Sequence, residues 1–243
     1  MKIERIAYSV SGLSNMGTLL YDETAQAKRP LLLMAPNWLG ITPVSTETSR
    51  TLLADRYVVF MADMFGQGNQ PTGKENPMEF LAPLMKNATE TRKRIVAAFD
   101  TMIREAGKRD IGDTSRSAAI GYCFGGANVL DLARSGADVN AVVSMHGSLA
   151  TPMPAKKGEV KAACLVVHGS ADPIAPKVER DAFEQEMDAA GVRWAMLNFG
   201  GVVHAFTDVG VNSPPVAVYN EPATRHGYNL AHAFMADAFA RKI

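Results

Sequence analysis

The sequence predicts a doubly wound α/β protein with a mostly parallel central sheet, an antiparallel hairpin at its N-terminus and helices on both faces. Three observations carry this. From residue 31 onward short continuous apolar runs recur, as strands buried on both faces require. Stretches with apolar residues at helical spacing separate them. At one strand-to-helix junction stands Gly121-Tyr122-Cys123-Phe124-Gly125-Gly126, with glycines two before and two after a cysteine. At 243 residues the chain can build one large core, and nothing marks a boundary, so a single domain over 1–243 is expected.

The first thirty residues alternate apolar and polar positions: Ile3, Ile6, Tyr8 and Val10, then Met16, Leu19 and Tyr21, with Gly12-Leu13-Ser14-Asn15 between them. This reads as a hairpin with one wet face. The buried strands follow at Leu31–Met34, Tyr57–Met61, Ala118–Ile120, Ala141–Met145, Cys164–Val167 and Ala195–Leu197. Helical spacing marks Thr91–Ala106, where Ile95, Phe99, Met102 and Ile103 form one stripe, and recurs over Ala127–Arg134, Lys177–Ala190 and Gly227–Arg241. Two stretches, Met64–Asn87 and Thr207–Thr224, are rich in Gly, Pro and Asn and read as long loops that wall a pocket.

Composition narrows the function. Lys plus Arg equal Asp plus Glu at 25 each, so no basic field exists to attract nucleic acid or an acidic membrane. Of two cysteines, Cys164 lies within the apolar run Lys161–Val167 as a small buried hydrophobe, which leaves Cys123 as a free thiol and suits a reducing compartment. Met1–Ile6 has neither an apolar core nor a cleavage site, and no run approaches the ~18 apolar residues of a membrane span. A soluble cytoplasmic protein is expected.

The chemistry centres on the junction. A turn passing directly from strand to helix forces its tip residue into a strained conformation, so only small neighbours fit, and it points the Cys123 side chain out of the fold. A thiol with pKa ~8.5 is mostly protonated at neutral pH and needs a base. His204, in Gly200-Gly201-Val202-Val203-His204-Ala205-Phe206 just beyond the last apolar strand, is that base. Asp172, in His168-Gly169-Ser170-Ala171-Asp172-Pro173 after the Cys164–Val167 strand, would orient and charge-stabilise the imidazole. Aspartate before proline is also a turn former and a helix cap, and Asp208 is a rival partner for His204 by proximity in sequence. His146 and His168 close strands and read as structural, because one base suffices. The chain order Cys123, Asp172, His204, with separations of 49 and 32 residues, is that of the α/β-hydrolase fold. In that fold the backbone N–H groups of Phe124 and of a residue after Leu31–Met34, here Trp38, form the oxyanion hole.

These segments, together with Val203-His204-Ala205-Phe206 and the later Tyr219-Asn220-Glu221-Pro222-Ala223, resemble the dienelactone hydrolase family from about residue 29 to the C-terminus. The resemblance implies a compact α/β-hydrolase without a cap domain that opens small esters or lactones by a Cys-His-Asp triad and a thioester, with no metal or organic cofactor. No C-x-x-C or H-x-x-x-H pair suggests zinc. Family enzymes acting on dienelactone carry a glutamate where this chain has Asn37 and a substrate-holding arginine where it has Asp208. A neutral amide at Asn37 does not oppose a thiolate, and Asp208 would repel a substrate carboxylate, so a neutral ester or lactone other than dienelactone is expected. Lys86 or Arg92 could supply a compensating cation. Met64, Phe65 and Phe206 are candidates for an apolar pocket wall, a role they share with the core as an alternative. Two further readings use the same residues: acyl transfer to an alcohol or amine, and ligand binding without turnover.

Overall fold

The structure, a computed structural model, describes residues 1–72 and 75–241 and divides the chain into two units, Met1–Ala119 and Ile120–Ile243. In the first unit, β1 (Lys2–Val10) and β2 (Leu13–Tyr21) pair antiparallel from Lys2↔Tyr21 to Val10↔Leu13. Ser11 and Gly12, both at positive φ (50° and 82°), make the two-residue turn that suits strand twist. The hairpin therefore turns earlier than the Gly12–Asn15 stretch expected, and residues 13–15 belong to β2. Register also decides the faces. Ile6, Tyr8 and Val10 point inward, which leaves Ile3, one position out of phase, 49% exposed.

β3 (Arg29–Ala35) leads through a loop to α1 (Pro43–Thr48), which starts at a capping box: Ser45 N donates to Thr42 Oγ1 at 3.1 Å and Thr42 N to Ser45 Oγ at 2.8 Å. A π-helical turn, Ser49–Leu53, follows, then β4 (Val58–Met61), parallel to β3 and antiparallel to β2. The Met64–Asn87 stretch is not loop throughout. It contains α2 (Met78–Met85), which buries Leu81 and Leu84, while residues 73 and 74 lie outside the described residues. α3 (Ala88–Arg109) is capped by Asn87 Oδ1, which accepts from Glu90 N at 3.1 Å, and buries Ile95, Phe99 and Met102 of its predicted stripe, while the fourth member, Ile103, is half-buried at its margin. β5 (Gly112–Tyr122) closes this unit's strand order, β1-β2-β4-β3-β5, and carries the chain into the next.

There the order is β5-β6-β7-β8. α4 (Phe124–Arg134) follows β5 directly, then β6 (Ala141–Met145), β7 (Ala163–Gly169), α5 (Lys177–Ala190) and β8 (Trp194–Phe199). β6, β7 and β8 are parallel, and every residue of β6 and β7 is buried, which is why they read as unbroken apolar runs. A short hairpin, β9 (Asn212–Ser213) with β10 (Ala217–Val218), and α6 (Glu221–Phe239) complete the unit. The 207–224 segment is thus partly structured, and α6 starts before Gly227 because Asn220 Oδ1 caps Ala223 N at 3.0 Å with Pro222 in the first turn. The eight-stranded mixed sheet is mostly parallel with its antiparallel pair at the N-terminus, as expected. Both cysteines are free, and among the described residues no helix is long and apolar enough to cross a membrane.

Candidate active site

β5 ends at Tyr122 and α4 begins at Phe124, so Cys123 alone makes the turn. It does so at φ 52°, ψ −116°, a region closed to most side chains and costing about 1–3 kcal/mol. The surroundings hold it there: Cys123 N donates to Met145 O at 3.0 Å, and Gly126 N to Cys123 O at 2.9 Å. The positive end of the α4 dipole lies at the same point, where negative charge is favoured. Gly121 permits the turn, since a Cβ there would overlap the carbonyl of Gly125. Gly121→Ala is therefore expected to lower stability by about 1–3 kcal/mol or more, and an unchanged urea midpoint would contradict the steric argument.

The strand ends bring the other two residues to Cys123. Asp172 follows β7 in a turn in which its Oδ1 accepts from Ile174 N at 2.8 Å, while Oδ2 lies 2.8 Å from His204 Nδ1. His204 Nε2 lies 3.1 Å from Cys123 Sγ. One imidazole thus bridges a carboxylate and a thiol at the elbow. The loops bearing Asp172 and His204 approach so closely that a Cβ on Gly169 would overlap Val202 O. Ala171 N also donates to Val202 O at 3.0 Å. The backbone of His204 is clamped by the β9–β10 hairpin: His204 N donates to Val216 O and Val218 N to His204 O, each at 3.1 Å.

Electrostatics follow from this packing. Burial disfavours a charged His204, but the hydrogen bonds and charges of Asp172 and Cys123 outweigh it and raise its pKa to about 10. Burial likewise acts against an ionised Asp172, yet the His204 contact and the Ile174 N–H hold it below the usual carboxylate range. The Asp172–His204 pair is therefore carboxylate and imidazolium at neutral pH. His146 and His168, both wholly buried, are pushed the other way by burial and stay neutral. His168 Nε2 lies 3.0 Å from Ala175 O, bracing the turn that carries Asp172.

The remaining sequence-predicted residues fall as follows. Phe124 is the first residue of α4. Phe206 is wholly buried, packed edge-on against His146 at 5.0 Å and Phe199 at 5.9 Å. Asp208 Oδ1 accepts from Thr207 Oγ1 at 3.2 Å, while Nδ1 of His204 faces Asp172. In the first unit, Asn37 and Trp38 lie in the loop after β3, where Asn37 Oδ1 accepts from Leu39 N at 3.1 Å. Met64 and Phe65 are buried, and their carbonyls accept from Arg94 at 2.9 and 3.1 Å. Lys86 is exposed after α2, and Arg92 is half-buried on α3. Sequence reasoning missed the polar groups that contact His146, the ring packed beside His204, or extend from it. These are Thr207, bonded to His146, and Tyr122 OH, which accepts from Tyr228 OH at 2.7 Å. They join positions 61 and 106 residues apart, and no local pattern marks them.

Comparison with known proteins adds a family. The model of the Dienelactone hydrolase family matches residues 16–239. An uncharacterized protein of Caenorhabditis elegans is 34% identical over 134 residues, covering 53% of this chain and 84% of its own length. Two solved structures align over 98% of both chains: one named m3DLH (28% identity, TM-score 0.87), the other a dienelactone hydrolase-like promiscuous phosphotriesterase, P91, from metagenomic libraries (27%, TM-score 0.85).

Proposed function

The chain belongs to the dienelactone hydrolase family of esterase-like α/β-hydrolases, and from that premise we propose that it cleaves small neutral esters or lactones through a thioester on Cys123. The observation that carries the reading is the single imidazole of His204, within hydrogen-bond reach of both Asp172 Oδ2 and Cys123 Sγ. With its proton held on His204 Nε2, the Cys123 sulfur attacks the carbonyl carbon. The carbonyl π pair moves onto oxygen, opposite the N-terminus of α4 and the Phe124 N–H. Collapse of that adduct expels the alkoxide, which takes the proton from Nε2, and leaves a thioester. Water then loses a proton to the same nitrogen, attacks the thioester and releases the acid and Cys123. Asp172 holds the imidazole with Nε2 toward sulfur and stabilises its positive form.

The substrate class rests on charge. Asp208, four residues beyond His204, adds a carboxylate to the base loop. A neutral aryl ester is therefore expected to show the higher kcat/KM against its carboxylate-bearing analogue, and a preference for the acid would overturn this. Because one relative is described as a phosphotriesterase, a neutral aryl phosphotriester is the second electrophile to assay. Rapid labelling of Cys123 by iodoacetamide, lost in His204→Ala, separates an enzyme from a binding protein. Product analysis with added alcohol separates hydrolysis from acyl transfer.

A further inference from the structure

The two hydrogen bonds of His204 and its clamped backbone set the ring's place but not how tightly it is held there. The imidazole turns only about its two side-chain torsions, and hydrogen bonds of 2.8 and 3.1 Å still tolerate rocking of its plane. A packed neighbour at the side of the ring limits that rocking. His146, at the end of β6, is wholly buried and sits in the left-handed region at φ 41°, so its surroundings determine its conformation closely. Its ring meets His204 edge-on, with centroids 5.1 Å apart and planes at 72°. It meets Phe206 in the same manner at 78°.

The orientation of this second ring is itself anchored. His146 Nε2 lies 2.7 Å from Thr207 Oγ1. That hydroxyl has one proton and donates it to Asp208 Oδ1, so toward His146 it accepts. That direction assigns the His146 proton to Nε2, facing the hydroxyl oxygen. We propose that His146 is a positioning residue for His204: tethered through Thr207 to Asp208, its ring walls the imidazole into the orientation that bridges Asp172 and Cys123. This rests on the reading of His204 as the acid–base group. Such a wall must stay neutral, because a positive charge beside His204 would oppose its imidazolium. Burial and the neighbouring histidines hold His146 neutral. The titratable groups around it are His204 and Asp208 in the loop after β8, His168 and Asp172 after β7, Tyr122 ending β5 and Tyr228 on α6 behind it.

The test combines kinetics with nitrogen-15 histidine NMR on the full chain. Thr207→Val removes the acceptor hydroxyl at nearly constant volume, and Thr207→Ser keeps it. Valine is expected to lower kcat by about 10- to 100-fold with little change in KM, and serine to restore most of it. Wild-type kcat in Thr207→Val, or an equal loss in Thr207→Ser, would overturn the proposal. The resting protein needs no substrate for the second arm. In wild type and Thr207→Ser, His146 should show a protonated Nε2 and bare Nδ1 throughout the neutral pH range. The downfield Nδ1 proton of His204 should be sharp in these two proteins and broadened in Thr207→Val. A His146 that titrates near neutrality, or carries its proton on Nδ1, would refute the tether even if the chain proved to have no esterase activity.

Discussion

Cys123→Ala is expected to reduce ester hydrolysis by about 10⁴-fold or more while leaving the fold intact. The large factor follows from the covalent route: without sulfur no thioester forms, and His204 has only water to activate. The intact fold follows from the backbone. Alanine keeps a Cβ, so the variant retains the strain at φ 52°, ψ −116° and the bonds from Cys123 N to Met145 O and from Gly126 N to Cys123 O. Glycine at the same place relieves the strain. Cys123→Gly should therefore be as inactive as the alanine variant but at least as stable, a sign that conformational energy is spent on presenting the thiol. Steady-state rates on a neutral aryl ester and urea unfolding of the three proteins check both halves. Residual activity in Cys123→Ala within tenfold of wild type would remove Cys123 from the nucleophile's role.

Why the elbow was legible and its surroundings were not has a physical explanation. Strands buried on both faces must be apolar, so β6 appears at its true bounds and β7 within two residues of its end, whereas β8, half-buried to exposed, shows only its middle, Ala195–Leu197, as an apolar run. The three residues at Cys123, Asp172 and His204 each follow a strand of the sheet, and a parallel sheet gathers its strand ends on one side. That topology, not proximity in sequence, makes positions 81 residues apart neighbours. Elements that bury little leave weaker marks. α2 has only Leu81 and Leu84 inside, carries Pro83 and exposes Met78 and Met85, so its composition is that of a loop. The hairpin turn was displaced for a related reason: Ser14 and Asn15 look like turn residues, yet Asn15 is buried in β2, its Nδ2 donating to Asp63 O at 3.0 Å. The Thr207 contact of His146 was hidden altogether, because a hydrogen bond from a strand end to a distant loop imposes no periodicity on either segment.

Asp172→Asn is expected to cost about 10³- to 10⁴-fold in kcat and to move the alkaline limb of the pH profile toward acid. Asp172 has two duties, and the amide separates them. Its Oδ1 organises the turn by accepting from Ile174 N, a task an asparagine oxygen performs as well, so the loop should keep its shape. Its Oδ2 faces His204 Nδ1 at 2.8 Å, and there the amide NH₂ would donate to Nδ1, forcing the imidazole proton onto Nε2 where the thiol's proton must arrive. The charge is lost as well. In the wild type the hydrogen bonds and charges of Asp172 and Cys123 raise His204 to about 10 against the opposing effect of burial. The imidazolium that protonates the leaving alkoxide should therefore persist on raising the pH until about 10. With the carboxylate gone, burial still disfavours the charged ring while one of its two stabilising partners is missing, so the imidazolium should deprotonate at lower pH. A kcat/KM profile of Asp172→Asn whose alkaline limb coincides with that of the wild type would show that Asp172 shapes the turn and does not act on His204.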